Sequence, residues 1–533
     1  MSYFRKEHLI VTVSGRTFQT WGSAKLGLLS VSKIHPEDIQ ALAADSYLVF
    51  AAAGRDVYAW RRGTELQRVY RGHATDVVLL LPLGPHLISV DRDGVLKMWE
   101  IKTGVEYLEM TFNNSRTEVS ALCHPSSYLD KVLVGSSQGH LQLWNLRTTK
   151  LVYTFDGWGS GVTVLQQAPA IDVVAIGLSS GETYLHNLKF DETVVKFQQD
   201  WGPVTGVAFR TDDKPVMMTG SPSGHLAVWD LEARKLSLQM RGAHQGSVTG
   251  LATLQGEPVM VTSSPDNSLK QWIFDMSDGG ARELRSKCGH SAPPSRVRYY
   301  GARGENILSA GQDSSLRVFS TVTDLLHKSL GHASFNRKRS KKFKVSEDPV
   351  RMPPIVDFTT ETSKDREWDN IACVHRGQGL ATTWSFGHSK MGELKLLHER
   401  FTTDPSLRSS SATCLVLSCC GNFVLLGYDS GHVDRFNIQS GLHRGSYQHG
   451  SHPAHKHAVR GLASCGLNMQ AISGDSRGLV KFWRFKAGTL LGKLVLGEGL
   501  TSMKLHRESG LLGLAMEDFT LALVDVDTRK VVR

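Results

Sequence analysis

Two segments of this chain have the spacing of a nucleophile elbow. Gly135-Ser136-Ser137-Gln138-Gly139 and Gly177-Leu178-Ser179-Ser180-Gly181 both read G-x-S-x-G, a pattern that lifts a serine hydroxyl to the top of a strand–turn–helix. The two lie 42 residues apart, at the same place in a repeated strand pattern. The match is therefore expected to be a by-product of a repeated turn. GTLLGK (488–493) is one residue short of a phosphate-binding loop, and Leu494 stands where Ser or Thr would hold magnesium. HGSHPAHKHAV places His449, His452, His455 and His457 close together, as a zinc site would. No cysteine or carboxylate partner is near, and Ala454-His455 falls where a repeat begins. No Ser-His-Asp group or carboxylate pair can be assembled. The expectation is no catalytic residue, no metal, no cofactor, no small-molecule substrate and no enzyme.

The remaining chemistry is electrostatic. The 533 residues carry a formal charge of +10. Residues 332–351 hold Arg337, Lys338, Arg339, Lys341, Lys342, Lys344 and Arg351 against Glu347 and Asp348, a net +5. Half of the excess thus sits in twenty residues. Such a cluster fits a polyanion such as RNA, or a nuclear-import receptor, or it is a solvated spacer. Phe335 and Phe343 could stack on bases. With six phosphate contacts, binding to single-stranded RNA would weaken with a log–log salt slope of about four.

The elements around these residues repeat. RGHATDVVLLLPLGPHLISVDRDGVLKMWEIKTGVEYLEM (71–110) reads as four short strands with a turn at Arg92-Asp93-Gly94. A large residue closing the third strand recurs at Trp21, Trp60, Trp99, Trp144, His186, Trp229, Trp272, Phe319, Trp384, Phe436 and Trp483, with Val524 in the same place. All but one of the intervals lie between 39 and 52 residues; the exception, Phe319 to Trp384, is 65. Four strands in about 40–45 residues is the period of a β-propeller blade. Sheets of that size shield too little apolar surface alone, so they stack radially. The fold class is all-β.

Length points to more than one domain. Apolar residues are 41% and charged residues 21%, ordinary for a globular chain. No apolar run reaches membrane-spanning length, and MSYFRKEHLIVTVSG has no secretory core. A soluble intracellular protein is expected. The seven scattered cysteines, none in C-x-x-C, fit reduced, mostly buried thiols.

Gly-His, a Ser/Thr, a turn Asp and a Trp recur in the order that the WD-repeat family uses. They are His73, Ser89, Asp93 and Trp99 in one unit, and His244, Thr262, Asp266 and Trp272 in another. A third has His290, Ser309 and Asp313, with Phe319 for Trp. The resemblance implies a hydrogen-bonded network inside each blade. Seven blades to a ring then predicts a division: 1–37, an N-terminal blade closing the second propeller; 38–331, a seven-bladed first propeller; 332–351, a basic linker; 352–533, a partial second propeller. An eight-bladed first ring is the competing count. The last segment ends on a fourth strand, so the chain is expected to be truncated and its second ring open.

Finer segments resemble one family. DGWGSGVTVLQQAPAIDVVAIGLSSG (156–181), QDWGPVTGVAFRTDDKPVMMTGSPSGHLAVWDLE (199–232), GHSAPPSRVRYYG (289–301) and LHRESGLLGLAMEDFTLALVDVDTRKVVR (505–533) are similar to the U3 small nucleolar RNA-associated protein 21 family. Its members are tandem-propeller subunits of the UTP-B subcomplex of the small-subunit processome. That resemblance implies a non-catalytic nucleolar scaffold in pre-rRNA processing and small ribosomal subunit assembly. The implied partners are other UTP-B tandem-propeller subunits, the U3 snoRNP and pre-ribosomal RNA, with no membrane. The family also carries a C-terminal helical domain that these residues do not include. A WD-repeat substrate receptor or signalling scaffold away from ribosomes is the alternative.

Overall fold

The strands Val77–Leu83, His86–Asp91, Val95–Glu100 and Glu106–Thr111 pair antiparallel in chain order, and the same meander recurs along the protein. The structure, a computed structural model, describes residues 8–533 apart from 113–117, 277–278, 302, 324–325, 337–349 and 451. Second strands of the sheets are the apolar ones: LISV, VLVG and VAIG are buried on both faces. Fourth strands such as Lys150–Phe155 are mostly exposed. These three sheets therefore have both faces covered by neighbours and their outer strands in water, whereas Leu511–Met516 in the last sheet alternates between buried and half-buried positions.

Contacts divide the chain into two units, residues 1–289 and 290–533. The first holds seven sheets, at residues 9–31, 39–70, 77–111, 119–155, 162–198, 206–240 and 250–288. Seven apolar clusters join them, one at each successive interface. The seventh brings Leu254, Val259, Val261 and Leu269 onto Leu26, with Ile10 and Trp21 beside them. Gln271 Nε2 also donates to Ser23 O at 2.6 Å. Seven sheets sharing seven cores form a closed ring.

The second unit holds five sheets, at 294–332, 355–396, 412–453, 459–495 and 500–531, with a short helix Arg400–Thr403 before the third. Four clusters join them among the described residues. In the first, Leu308, Leu316, Leu330 and Ala333 meet Met352, Ile355 and Phe358.

This packing corrects the predicted boundaries. Residues 1–37 do not close the second propeller: the apolar side chains of 9–31 are used by the sheets at 39–70 and 250–288. The sheet at 294–332 does not end the first ring. It opens the second unit, because its core is shared with 355–396. Residues 332–351 consequently do not link two propellers; they connect two sheets of one.

Sheets are also stitched by hydroxyls. Ser120 Oγ donates to Val162 O, Thr163 Oγ1 to Val204 O and Ser295 Oγ to Ile355 O, each at 2.6 Å. Each joins the first strand of one sheet to the start of the next sheet's first strand or its lead-in. These satisfy polar groups that inter-sheet packing would otherwise bury unpaired.

Candidate RNA- and protein-binding surface

Both serine motifs lie in turns between second and third strands, at Ser136 to Leu141 and Leu178 to Glu182, with a strand and no helix behind them. The glycines have packing reasons. Gly139 (φ +92°) and Gly181 (φ +87°) adopt left-handed backbone, and a Cβ on either would come within 2.6 Å of a carbonyl oxygen in the next connection. A Cβ on Gly135 or Gly177 would strike Val162 or Val164 at 2.7 and 2.6 Å. G-x-S-x-G here is the signature of close sheet-to-sheet approach.

The blade networks are present, with one partner changed. His73 lies 2.7 Å from Ser89 Oγ and 2.9 Å from Asp91 Oδ2, and Trp99 Nε1 donates to Ser89 Oγ at 2.8 Å. Asp91, not Asp93, is the acid; Asp93 is exposed and only its N–H contributes, to Asp91 Oδ1 at 3.1 Å. Thr262 joins His244 (2.7 Å) and Trp272 (2.9 Å), while Asp266 accepts from Ser268. His290 contacts Ser309 Oγ at 2.9 Å and Asp313 at 3.1 Å, and Phe319 offers no N–H. Burial works against charge on Asp266 and Asp313, yet hydrogen bonds from the facing histidine and serine hold both carboxyls well below their usual range. A fourth network adds Ser473 and Asp475, which were not predicted, to the repeat-opening His455 and the third-strand Trp483. Its signal is Ser-Gly-Asp, where the acid follows the serine by two residues, as in Ser89-Val90-Asp91.

That placement gives His455 a structural partner in Asp475. One other group with metal-ligand reach exists among the described residues: His398, Asp434 and His443, within 4.8 Å. Arg400 Nη2 sits 2.5 Å from Asp434 Oδ1, and Ser446 Oγ donates to the same oxygen at 2.6 Å. Asp434 Oδ2 has no hydrogen-bond partner. The Arg400 N–H donates to His398 Nδ1 at 3.1 Å, which puts the ring proton on Nε2. A divalent ion would meet that proton and the guanidinium, so the group is assigned to ion pairing.

The six cations Arg337, Lys338, Arg339, Lys341, Lys342 and Lys344 lie outside the described residues. The base that carries them is described. Strand Lys328–His332 ends in an isolated bridge between Ser334 and Arg351. Phe335 N–H donates to Val350 O at 2.8 Å, Met352 N–H to Ala333 O at 2.9 Å, and Ser314 Oγ to Met352 O at 2.6 Å. Arg351 bonds Asp313 O and lies 3.1 Å from His332 Nδ1. Burial, then the Arg351 charge, push the His332 pKa down. Lys395 Nζ donates to Phe335 O at 2.6 Å and lies 5.9 Å from that ring's centroid. The basic insertion is thus held at both ends on one sheet-to-sheet connection.

Comparison with known proteins decides the family. Residues 10–275 match "WDR36/Utp21 first beta-propeller" and residues 295–533 match "WDR36/Utp21 second beta-propeller domain". The chain belongs to the WDR36/Utp21 family. It is 47% identical to WD repeat-containing protein 36 of Homo sapiens, over 100% of this chain and 59% of that protein. It is 36% identical to U3 small nucleolar RNA-associated protein 21 homolog of Schizosaccharomyces pombe, over 99% of this chain and 58% of the relative. The Saccharomyces cerevisiae U3 small nucleolar RNA-associated protein 21 is 31% identical over 98% and 56%. The chain spans 56–59% of the length of these relatives. The WDR36/Utp21 match at 10–275 runs from the first sheet into the seventh, in agreement with the ring read from the apolar clusters.

Proposed function

We propose that this WDR36/Utp21 chain is a non-catalytic scaffold of the small-subunit processome, acting with the U3 snoRNP in pre-rRNA processing in the nucleolus. The observation that carries the reading is kinship along 98–100% of the chain with proteins named for U3 small nucleolar RNA association and for WD repeats. Rigid sheets present loops to protein neighbours, among them other UTP-B tandem-propeller subunits. The basic insertion supplies electrostatic affinity for pre-ribosomal RNA.

The anchored base supports this role for Arg337, Lys338, Arg339, Lys341, Lys342 and Lys344. Fixing both ends of a charged segment to a sheet lowers the entropy lost when phosphates are engaged. Six neutralised phosphates on a single strand give a salt slope of about −4, and so a loss of roughly two to three decades in affinity between 50 and 200 mM salt. The test is a salt titration of single-stranded pre-rRNA binding, comparing the native chain with one in which the six residues are alanine. A flattened slope in the variant is expected. An unchanged slope removes the insertion from RNA binding, and a tagged protein that recovers neither U3 RNA nor pre-rRNA refutes the scaffold reading as a whole.

A further inference from the structure

A second basic region lies in the second unit, apart from the insertion. Residues 433–497 carry nine Lys and Arg against two acids, Asp434 and Asp475, a net +7. Both acids are buried, and both are already engaged, Asp434 with Arg400 and Asp475 with His455. Of the nine cations, Lys481 is buried and Arg435 half-buried; the other seven are exposed. None of the seven pairs with a carboxylate among the described residues.

Three of them meet at one end of the sheet at 459–495. Lys456 lies on the connection that enters the sheet, and Arg477 on the turn between its second and third strands. Ser476 N–H donates to Ala458 O at 2.9 Å, which holds that turn against the connection. Arg460 follows in the first strand, in a bulge between the pairs Val459–Asp475 and Gly461–Gly474. In four other sheets the same bulge holds Ser120, Thr163, Ser295 or Thr413. Their hydroxyls donate to a carbonyl of the next sheet or its lead-in. Here an exposed guanidinium stands where those sheets have an inter-sheet bond. In a four-strand meander, the sheet-to-sheet connections and the turns between second and third strands share one end. Ser334 and Arg351, the base of the basic insertion, lie on such a connection and so at that end of their own sheets.

We infer that Lys456, Arg460 and Arg477 bind backbone phosphates of a single-stranded RNA that crosses this end of the sheet. The site uses none of the insertion's cations; that the strand is RNA rests on the function proposed above. Lys and Arg contacts to phosphate position a nucleic acid without reading its sequence. A protein partner would instead call for an apolar centre depleted of charge. No large apolar side chain is exposed among residues 452–460 or 475–478. Acids on the flanking segments leave the three cations free. Asp429 accepts from Ser411, and Glu498 pairs with no cation among the described residues.

The test is a salt titration of binding to a single-stranded RNA oligonucleotide. It compares the native chain with one carrying Lys456→Ala, Arg460→Ala and Arg477→Ala. Losing three phosphate contacts makes the log–log slope shallower by about 2, so the affinity lost between 50 and 200 mM salt shrinks about 20-fold. The same change is expected when the six insertion residues are alanine, which keeps the two sites' outcomes apart. Arg444→Ala, Arg484→Ala and Lys486→Ala together remove equal charge at the opposite end of these sheets and should leave the slope unaltered. Three results would each overturn the proposal: an unchanged slope in the first variant, equal flattening in both, or displacement of the RNA by polyglutamate as readily as by unlabelled RNA. Ultraviolet crosslinking in cells should map RNA to residues 452–478, and DNA found there instead would overturn the choice of strand. Should the triple variant not fold, Arg460→Gln alone gives a slope change of about 0.7.

Discussion

His375 provides the sharpest test of how the second unit is held. It is fully buried at the end of Ile371–His375. Its Nδ1–H donates to Pro353 O at 2.9 Å, and its Nε2 lies 2.9 Å from Thr382 Oγ1, which accepts from Trp384 Nε1 at 3.0 Å. Burial pushes its pKa down to about 4, against about 6.5 when the chain is unfolded. The folded value is the lower one, so as pH falls below about 6.5 the unfolded chain takes up a proton that the folded chain refuses. The associated stability is full above that value and is lost as pH falls toward 4. Between pH 7 and pH 5 the linkage amounts to about 2 kcal/mol. Urea unfolding at pH 7, 6 and 5 should show that loss in the native chain. His375→Gln keeps a donor and an acceptor but cannot titrate, so its stability should fall by about 2 kcal/mol less over the same range. Identical pH dependence in the two proteins would refute the buried neutral imidazole.

Asp91→Ala should cost about 1–3 kcal/mol, because it leaves a buried ring nitrogen of His73 without its hydrogen-bond partner, while Asp93→Ala should change stability by less than about 0.5 kcal/mol; thermal melts decide. Trp272→Phe, which copies Phe319, should cost about 1 kcal/mol through the lost bond to Thr262, read as a shift in the urea midpoint. The depressed carboxyls of Asp266 and Asp313 predict a further stability loss at lower pH. It begins as pH falls through the unfolded value near 3.9, and Asp313→Asn should reduce it in acid titrations. Deleting residues 1–32 uncovers Leu254, Val259, Val261 and Leu269. Limited proteolysis should then cut within 250–288; cuts confined to 294–533 would restore the N-terminal sheet to the second propeller.

The sequence was legible wherever one residue type had one physical use. A large apolar side chain at the end of each third strand marks the period, since that position is buried at Trp60, Trp99, Trp229, Trp272, Trp384 and Trp483 and half-buried at Trp144. Gly-His and Ser/Thr could be placed for the same reason. Asp91 was missed because two acids, Asp91 and Asp93, flank one turn, and spacing alone does not say which carboxylate points at His73. Asp475, in the same place after Ser473, shows that the earlier acid can serve. The inter-sheet bonds of Ser120, Thr163 and Ser295 left no trace, because a hydroxyl in a strand reads the same whether it faces water or a neighbour's carbonyl.

Ring membership was illegible for a deeper reason. A blade is a local object, and its strand order follows from turns a few residues long. Which blade it touches is decided by complementarity between faces far apart in sequence, here Leu26 against Leu254 and Leu269. Nothing in LIVTVSGRTFQTWG distinguishes a sheet that closes the ring it begins from one that closes a later ring. The basic run made the error natural, since charge and proline commonly mark a linker. In this chain the charge lies inside a domain, between Ala333 and Met352, whose side chains are both buried in one core. A boundary without any such flag, at Gly289-His290, is where the units part. Composition reports where a segment is solvated, and only packing reports what it joins.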